Sequence, residues 1–239
     1  MNQRERGYFQ VKERHTDLSS LEEALGYRFR SRALLVHALT HSSYANEHKK
    51  EGAEHNERLE FLGDAILEMC SSDYLYHRYP EKNEGELSKL RASLVCEPTL
   101  ALCARDFNLM PYLRLGKGED MAGGRTRDSI VSDAVESVIA AIYLDGGYEP
   151  ARQFILEHIL NDIDSKKLYV DSKSLLQEKA QAAGQTVMYR VIDEKGPDHD
   201  KWFTVEVLVG GTVCAAGDGH TKKSAEQNAA FRALRAEKD

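Results

Sequence analysis

The chain has 239 residues, of which 41% are hydrophobic and 30% charged, with a formal net charge of −7 at pH 7. Those values fit a soluble globular protein of one or two domains. No apolar run approaches the roughly 20 residues that a membrane-spanning helix needs, which excludes a helical membrane protein. The first 15 residues are charged and carry no apolar signal core, so export is not expected. Cys70, Cys96, Cys103 and Cys214 form no paired motif, as in a protein kept reduced in the cytoplasm. The acidic balance argues at first sight against a nucleic-acid partner. It is uneven, however: residues 172–239 hold 10 Lys and Arg against 10 Asp and Glu, while residues 1–171 hold 22 against 29.

From Leu18 to about Ile163 the hydrophobic pattern is helical almost throughout. Helices are expected over Ala33–Ala45, Glu57–Tyr79, Gly85–Phe107, Arg127–Asp145 and Pro150–Ile163. Breaks are expected at Tyr79-Pro80, Glu97-Pro98, Met110-Pro111 and Asp145-Gly146-Gly147. In the second of these helices Glu57, Glu60 and Asp64 stand at i, i+3 and i+7, which stacks them on one side. Leu59, Leu62, Ile66 and Met69 form a stripe to bury on another side. Like charges stacked so repel by a few tenths of a kcal/mol per pair, roughly, and the helix gains nothing unless a cation sits there.

Asp133 and Glu136 repeat the i, i+3 spacing within a segment of nearly all apolar or small residues, Ser129–Ile142. Acidic residues on a buried helix need a partner. If the two helices pack together, Glu60, Asp64, Asp133 and Glu136 converge on an all-oxygen pocket. Such a pocket suits Mg²⁺ or Mn²⁺ rather than zinc, since no Cys or His recurs beside it at ligand spacing. By spacing alone, two ordinary acidic surface helices remain the alternative. The segment Gly116–Gly124, with Arg125 and Arg127 behind it, is expected to be the most mobile stretch, or else a plain connector.

Apolar periodicity lapses over 165–171, which reads as a linker. Beyond it the pattern becomes helix, three strands, helix. A short helix is expected over Ser174–Ala183, closed by Gly184, followed by strands over Val187–Ile192, Trp202–Val209 and Thr212–Ala216. Gly210-Gly211 makes a two-residue hairpin turn between the last two. An alanine-rich helix over Ser224–Ala236 ends the module. Lys222 and Lys223 at its start form either a phosphate clamp or a solvated cap. Ser174, Gln177, Glu178 and Gln181 share one polar face of the first helix, suited to 2′-hydroxyls in a shallow minor groove or simply wet. His199 lies in the loop between the first two strands and could reach a groove. Trp202 and Phe203 are expected to pack the sheet or its rim.

The run Asn56-Glu57-Arg58-Leu59-Glu60-Phe61-Leu62-Gly63-Asp64-Ala65-Ile66-Leu67 closely resembles the signature of the ribonuclease III family. Ala38–Tyr44, Glu84–Ala92, Leu115–Glu119 and Ser132–Glu136 accompany it in the family's order. Residues from about Ser172 to Ala236, with GPDH, WFTVEV and TKKSAEQNAA, resemble the double-stranded RNA-binding domain. The resemblance implies two domains: an all-α nuclease domain over 1–164, then the linker, then an α-β-β-β-α RNA reader over 172–239.

It also implies an endoribonuclease that hydrolyses double-stranded RNA with Mg²⁺, or Mn²⁺ as a substitute, and no organic cofactor. The products would carry 5′ phosphates and 3′ hydroxyls with a short 3′ overhang, as in processing of ribosomal, messenger and transfer RNA precursors. Glu60, Asp133 and Glu136 become the expected metal ligands, with Asp64 and Glu136 in the catalytic roles. Ser174, Gln177, Glu178, Gln181, His199, Lys222 and Lys223 become the expected RNA contacts. The family works as a homodimer, with Phe61 as the candidate for the self-contact unless it packs inside its own domain. A non-catalytic RNA-binding protein and a small-molecule phosphohydrolase are the competing classes. The intact acidic quartet opposes the first, and the C-terminal reader opposes the second.

Overall fold

The computed structural model describes residues 17–196 and 201–236. The N-terminal part is helical: α1 (Leu18–Ala24), α2 (Arg32–Ala38), α3 (Ser42–Glu47), α4 (Glu57–Arg78), α5 (Glu84–Val95), α6 (Glu97–Asp106), α7 (Lys117–Met121), α8 (Asp128–Gly146) and α9 (Tyr148–Phe154). A π-helical turn over Ile155–Ile159 leads into α10 (Ile163–Ala182). The antiparallel strands β1 (Val187–Lys195), β2 (Trp202–Val209) and β3 (Thr212–Gly219) follow, and α11 (Lys222–Ala236) closes the described chain. Among the described residues no helix is long and apolar enough to cross a membrane.

Helix α8 is the centre of the N-terminal helical part. Val135, Val138, Ile139 and Ile142 have no exposed surface, and α2, α4, α6 and α9 pack around it. Each such side chain contributes about 1.5–3 kcal/mol by leaving water. Helix α4 buries Leu59, Gly63, Ile66, Leu67 and Cys70 on the side facing α8. Met69, expected in that stripe, is instead 53% exposed, because the buried line runs through Gly63, Leu67 and Cys70 and leaves Met69 off its edge.

The helix expected over Ala33–Ala45 is two helices. Thr40 is drawn into an isolated parallel bridge with Arg114, its carbonyl accepts the Asn56 N–H at 2.9 Å, and the chain restarts as α3 capped by the His41 ring. The break at Cys96 separates α5 from α6 one residue before the expected Glu97-Pro98, with Pro98 inside the first turn of α6. The stretch expected to be mobile contains α7. Its backbone is tied down by Gly116 N–H donating to Ser43 Oγ at 2.8 Å and Lys117 N–H donating to Glu47 Oε1 at 2.9 Å.

Residues 165–171 are not an irregular linker. They lie inside α10, whose buried line is Ile163, Lys166, Tyr169, Ser172, Leu176 and Ala180. The expected short helix at Ser174 is therefore the second half of a 20-residue one. Lys166 is 5% exposed, and its ammonium donates to the carbonyls of His158, Ile159 and Asn161 at 2.8–2.9 Å and to the Asn161 side chain. A cation over the carbonyls of a finishing helix is favoured by the dipole as well as by the hydrogen bonds. In the C-terminal module, Leu176, Val205, Val207, Ala225, Ala229, Ala230 and Ala233 form the core between the sheet and the two helices. Gly210 and Gly211 take φ of +57° and +83°, the conformation a two-residue hairpin between Val209 and Thr212 requires.

Candidate active site

The first turn of α4 is held by Asn56, which is 4% exposed. Its carbonyl accepts the N–H groups of Leu59 and Glu60 at 2.8 and 2.9 Å, and the Ser137 hydroxyl donates to it at 3.3 Å. Its Nδ2 donates to the carbonyl of Ala38 at 3.2 Å. One residue therefore ties the acidic end of α4 to α2 and to the α8 residue next to Glu136. At the crossing of α4 and α8, Gly63 is pressed against the backbone of Glu136. The missing side chain lets the two helices approach until carboxylates from both reach a common space.

Glu60, Asp133 and Glu136 each offer an oxygen, and these atoms all lie within 4.8 Å of one another. All three residues are half-buried. Burial raises the Glu136 carboxyl to a pKa of about 8, with Asp64, Asp133 and Glu60 adding their repulsion. Burial, then Glu60 and Glu97, raises Asp133 to about 6. Glu60 is raised by burial and by Glu57 and Asp64. Carboxylates held together against this cost form an all-oxygen donor set that fits a hard divalent cation.

Asp64 is exposed and lies outside the trio, yet its charge is the largest electrostatic influence on Glu136. Glu57 is also exposed and meets His55 at 3.5 Å rather than its neighbour Arg58. Phe61 is 81% exposed, so it is not core of its own domain. Glu119 on α7 pairs with Arg127 at 2.7 Å.

On the C-terminal module, Ser174, Gln177, Glu178 and Gln181 are exposed along α10. Lys222 and Lys223 are exposed at the start of α11, with the Lys222 ammonium 5.6 Å from the Phe203 ring centre. Phe203 is buried in the core and Trp202 lies edge-on to His220 at the rim. His199 lies outside the described residues. Asn56, Gly63 and Ser137 were not singled out by sequence reasoning. For Gly63 a signal existed, since a lone glycine inside an otherwise helical pattern costs about 1 kcal/mol and is retained for a packing reason.

Residues 31–163 match the model of the Ribonuclease-III-like family, and residues 172–236 match the double-stranded RNA binding motif. The chain is 47% identical over 222 residues to Ribonuclease 3 of Caldanaerobacter subterraneus, covering 91% of this chain and 96% of that protein. It is 46% identical over 217 residues to Ribonuclease 3 of Listeria innocua, covering 90% and 95%. The solved nuclease domain of ribonuclease III from Campylobacter jejuni superposes with a TM-score of 0.56 at 42% identity, covering 60% of this chain and 96% of that one. That structure was described for flexibility in a region involved in dimer formation. The chain belongs to the ribonuclease III family, with a helical nuclease domain and a double-stranded RNA-binding domain, and is an endoribonuclease specific for double-stranded RNA.

Proposed function

We propose that this enzyme cuts both strands of a double-stranded RNA as a homodimer, using Mg²⁺ held by Glu60, Asp133 and Glu136. The observation that carries the metal assignment is the convergence of these three half-buried carboxylates, whose burial and mutual repulsion a cation would offset. A bound divalent ion supplies Lewis acidity that lowers the pKa of water and offsets charge at the phosphate. The chain's own part is to bind and orient. Glu60, Asp133 and Glu136 fix the ion, while exposed Asp64 beside Glu136 orients the attacking water. Ser174, Gln177, Glu178 and Gln181 contact the minor groove, with His199 in the adjoining groove. Lys222 and Lys223 hold the phosphates between.

The proposed domain limits are 1–164 and 172–239, joined through α10. Phe61, 81% exposed beside the acidic face, supports the self-contact, and two-fold symmetry would set two sites on opposite strands. Staggered cuts then leave 5′ phosphates, 3′ hydroxyls and short 3′ overhangs. Precursors of ribosomal and transfer RNA and structured messengers in the cytoplasm have the required duplex. Digestion of a defined RNA duplex tests this reading, with Mg²⁺, Mn²⁺ or EDTA and with product ends mapped. Cleavage that persists in EDTA, or products ending in 3′ phosphate, would overturn it.

A further inference from the structure

We propose that His41 is a substrate-positioning residue, whose ring Nε2–H contacts an oxygen of the RNA backbone beside the acidic centre. The ring is held in one tautomer by its other nitrogen. Nδ1 accepts the Ser43 backbone N–H at 3.2 Å and lies 2.8 Å from the Ser43 hydroxyl. That hydroxyl oxygen already accepts the Gly116 N–H at 2.8 Å, so its own hydrogen is free to point at Nδ1. A proton on Nδ1 would face the Ser43 N–H, so the neutral ring carries its proton on Nε2. Burial acts in the same direction by lowering the His41 pKa. The result is a fixed, uncharged donor, and Nε2 has no hydrogen-bond partner among the described residues.

The backbone places this donor at the site. The His41 N–H bonds to the Arg114 carbonyl at 3.0 Å, and the preceding Thr40 carbonyl accepts from Asn56, one residue before Glu57. His41 is half-exposed, with Glu119, Glu57 and Arg127 as the charges acting on it. Glu57 also adds its repulsion to Glu60 and Asp133, so one carboxylate acts on both His41 and the acidic centre, where a phosphodiester must lie to be cut. Glu57 repels a backbone oxygen there and Glu119 is already paired with Arg127, so a fixed neutral N–H is a group that can donate to one without adding charge. A purely capping role would leave the second nitrogen without a task.

The two ring nitrogens can be tested separately. In His41→Asn the amide oxygen replaces Nδ1 as the cap but nothing reaches the Nε2 position. In His41→Gln the amide nitrogen reaches the Nε2 position but the cap is lost. Full-length variants are compared for Tm and for kcat and KM on one RNA duplex at saturating Mg²⁺. Asn at 41 should keep Tm within about 2 °C and lose at least tenfold in kcat/KM, while Gln should lower Tm and retain most activity. Asn that cleaves like the parent, or activity that follows Tm in both variants, overturns the proposal. The inference rests on the assignment of the acidic centre. Glu136→Gln on the same duplex tests that assignment separately, because it removes activity whatever His41 does.

Discussion

A Cβ built on Gly63 would stand 1.8 Å from the carbonyl oxygen of Glu136, well inside any allowed contact. The neighbour is backbone in the middle of α8, so no flexible side chain can yield. Gly63→Ala must therefore push α4 off α8, and with it Glu60 away from Asp133 and Glu136. Overpacking of this kind costs about 1–3 kcal/mol and here should reach the upper end. For a chain of this size each kcal/mol lowers Tm by about 2–4 °C. Thermal unfolding together with an Mg²⁺ titration of cleavage checks it. The expectation is a lower Tm and weaker metal binding, with the midpoint of the titration moved to higher Mg²⁺.

Glu136→Gln should abolish most cleavage and spare binding. The carboxylate is one of three oxygens in the cluster and lies far in sequence from the lysines of α11. Removing one charged ligand from the cation at a reacting phosphate costs on the order of 10²–10³ in rate. Duplex RNA binding, measured by gel shift in Ca²⁺ or without metal, should stay within a few-fold. A variant keeping a tenth of the parent rate at saturating Mg²⁺ would remove Glu136 from the centre.

The same carboxyl gives a pH signature in the metal-free protein. Its folded pKa of about 8 lies above the ordinary value of 4.5, so the folded state holds the proton more tightly than the unfolded one. Stability then falls as pH rises from about 4.5 to 8 and levels off outside that window. Asp133, raised to about 6, acts in the same sense from 3.8 upward. His41 and His158, whose pKa values burial lowers, act in the opposite sense below pH 6.5, so denaturation midpoints in EDTA should decline most clearly between about pH 6.5 and 8, and a cation at the cluster should reverse that decline. A metal-free protein that gains stability between pH 6.5 and 8 would contradict the burial of Glu136 beside its like-charged neighbours.

The acidic face was legible because side-chain spacing on a helix fixes direction: i, i+3 and i+7 place Glu57, Glu60 and Asp64 together wherever the helix goes. The crossing that brings Glu60 to Asp133 and Glu136 was legible only as a condition, since Gly63 adds no apolar signal and its partner is a backbone atom 73 residues on. The first half of α10 was missed for a related reason. Its buried line places Lys166 and Ser172 among Ile163, Tyr169 and Leu176, and a count of apolar residue types sees a lapse there. The structure shows that the lysine is buried for its hydrogen bonds to carbonyls, which hydrophobic periodicity does not detect. The sheet was read correctly in kind, but β1 and β3 run three residues beyond the expected ends, to Lys195 and Gly219, because cross-strand pairing to β2 continues there through weak strand formers.

Replacing Lys222 and Lys223 by Ala should weaken RNA binding and flatten its salt dependence. Both side chains are exposed at the start of α11, where free N–H groups already favour an anion. Removing a lysine that neutralises one phosphate should reduce the log–log slope by about one unit. Duplexes of different sequence should lose affinity alike, since phosphates carry no base information. Binding isotherms at four or more salt concentrations read the slope directly, and an unchanged slope would leave the two lysines as solvated caps.

Removing residues 172–239 should separate chemistry from substrate capture. The remaining part keeps Glu60, Asp64, Asp133 and Glu136, the core around α8, and Lys166 on its carbonyls. It loses the Phe231 ring that meets Tyr169 at 5.5 Å and the Gln227 side chain that donates to the Tyr169 and Val170 carbonyls. The stub of α10 beyond Lys166 should fray while the helical domain stays folded, as a domain with its own core can. Capture would then depend on the nuclease face alone, and residues 1–171 hold 22 Lys and Arg against 29 Asp and Glu, so the net field repels RNA. With a Debye length of about 30 Å at 0.01 M salt that repulsion acts at a distance, and at 0.15 M it is confined to about 8 Å, so lowering the salt does not restore capture. Cleavage by the fragment should stay well below that of the full chain at every salt concentration, chiefly through a raised KM. Equal rates for the two proteins across the whole salt series would mean that the C-terminal module does not hold the substrate.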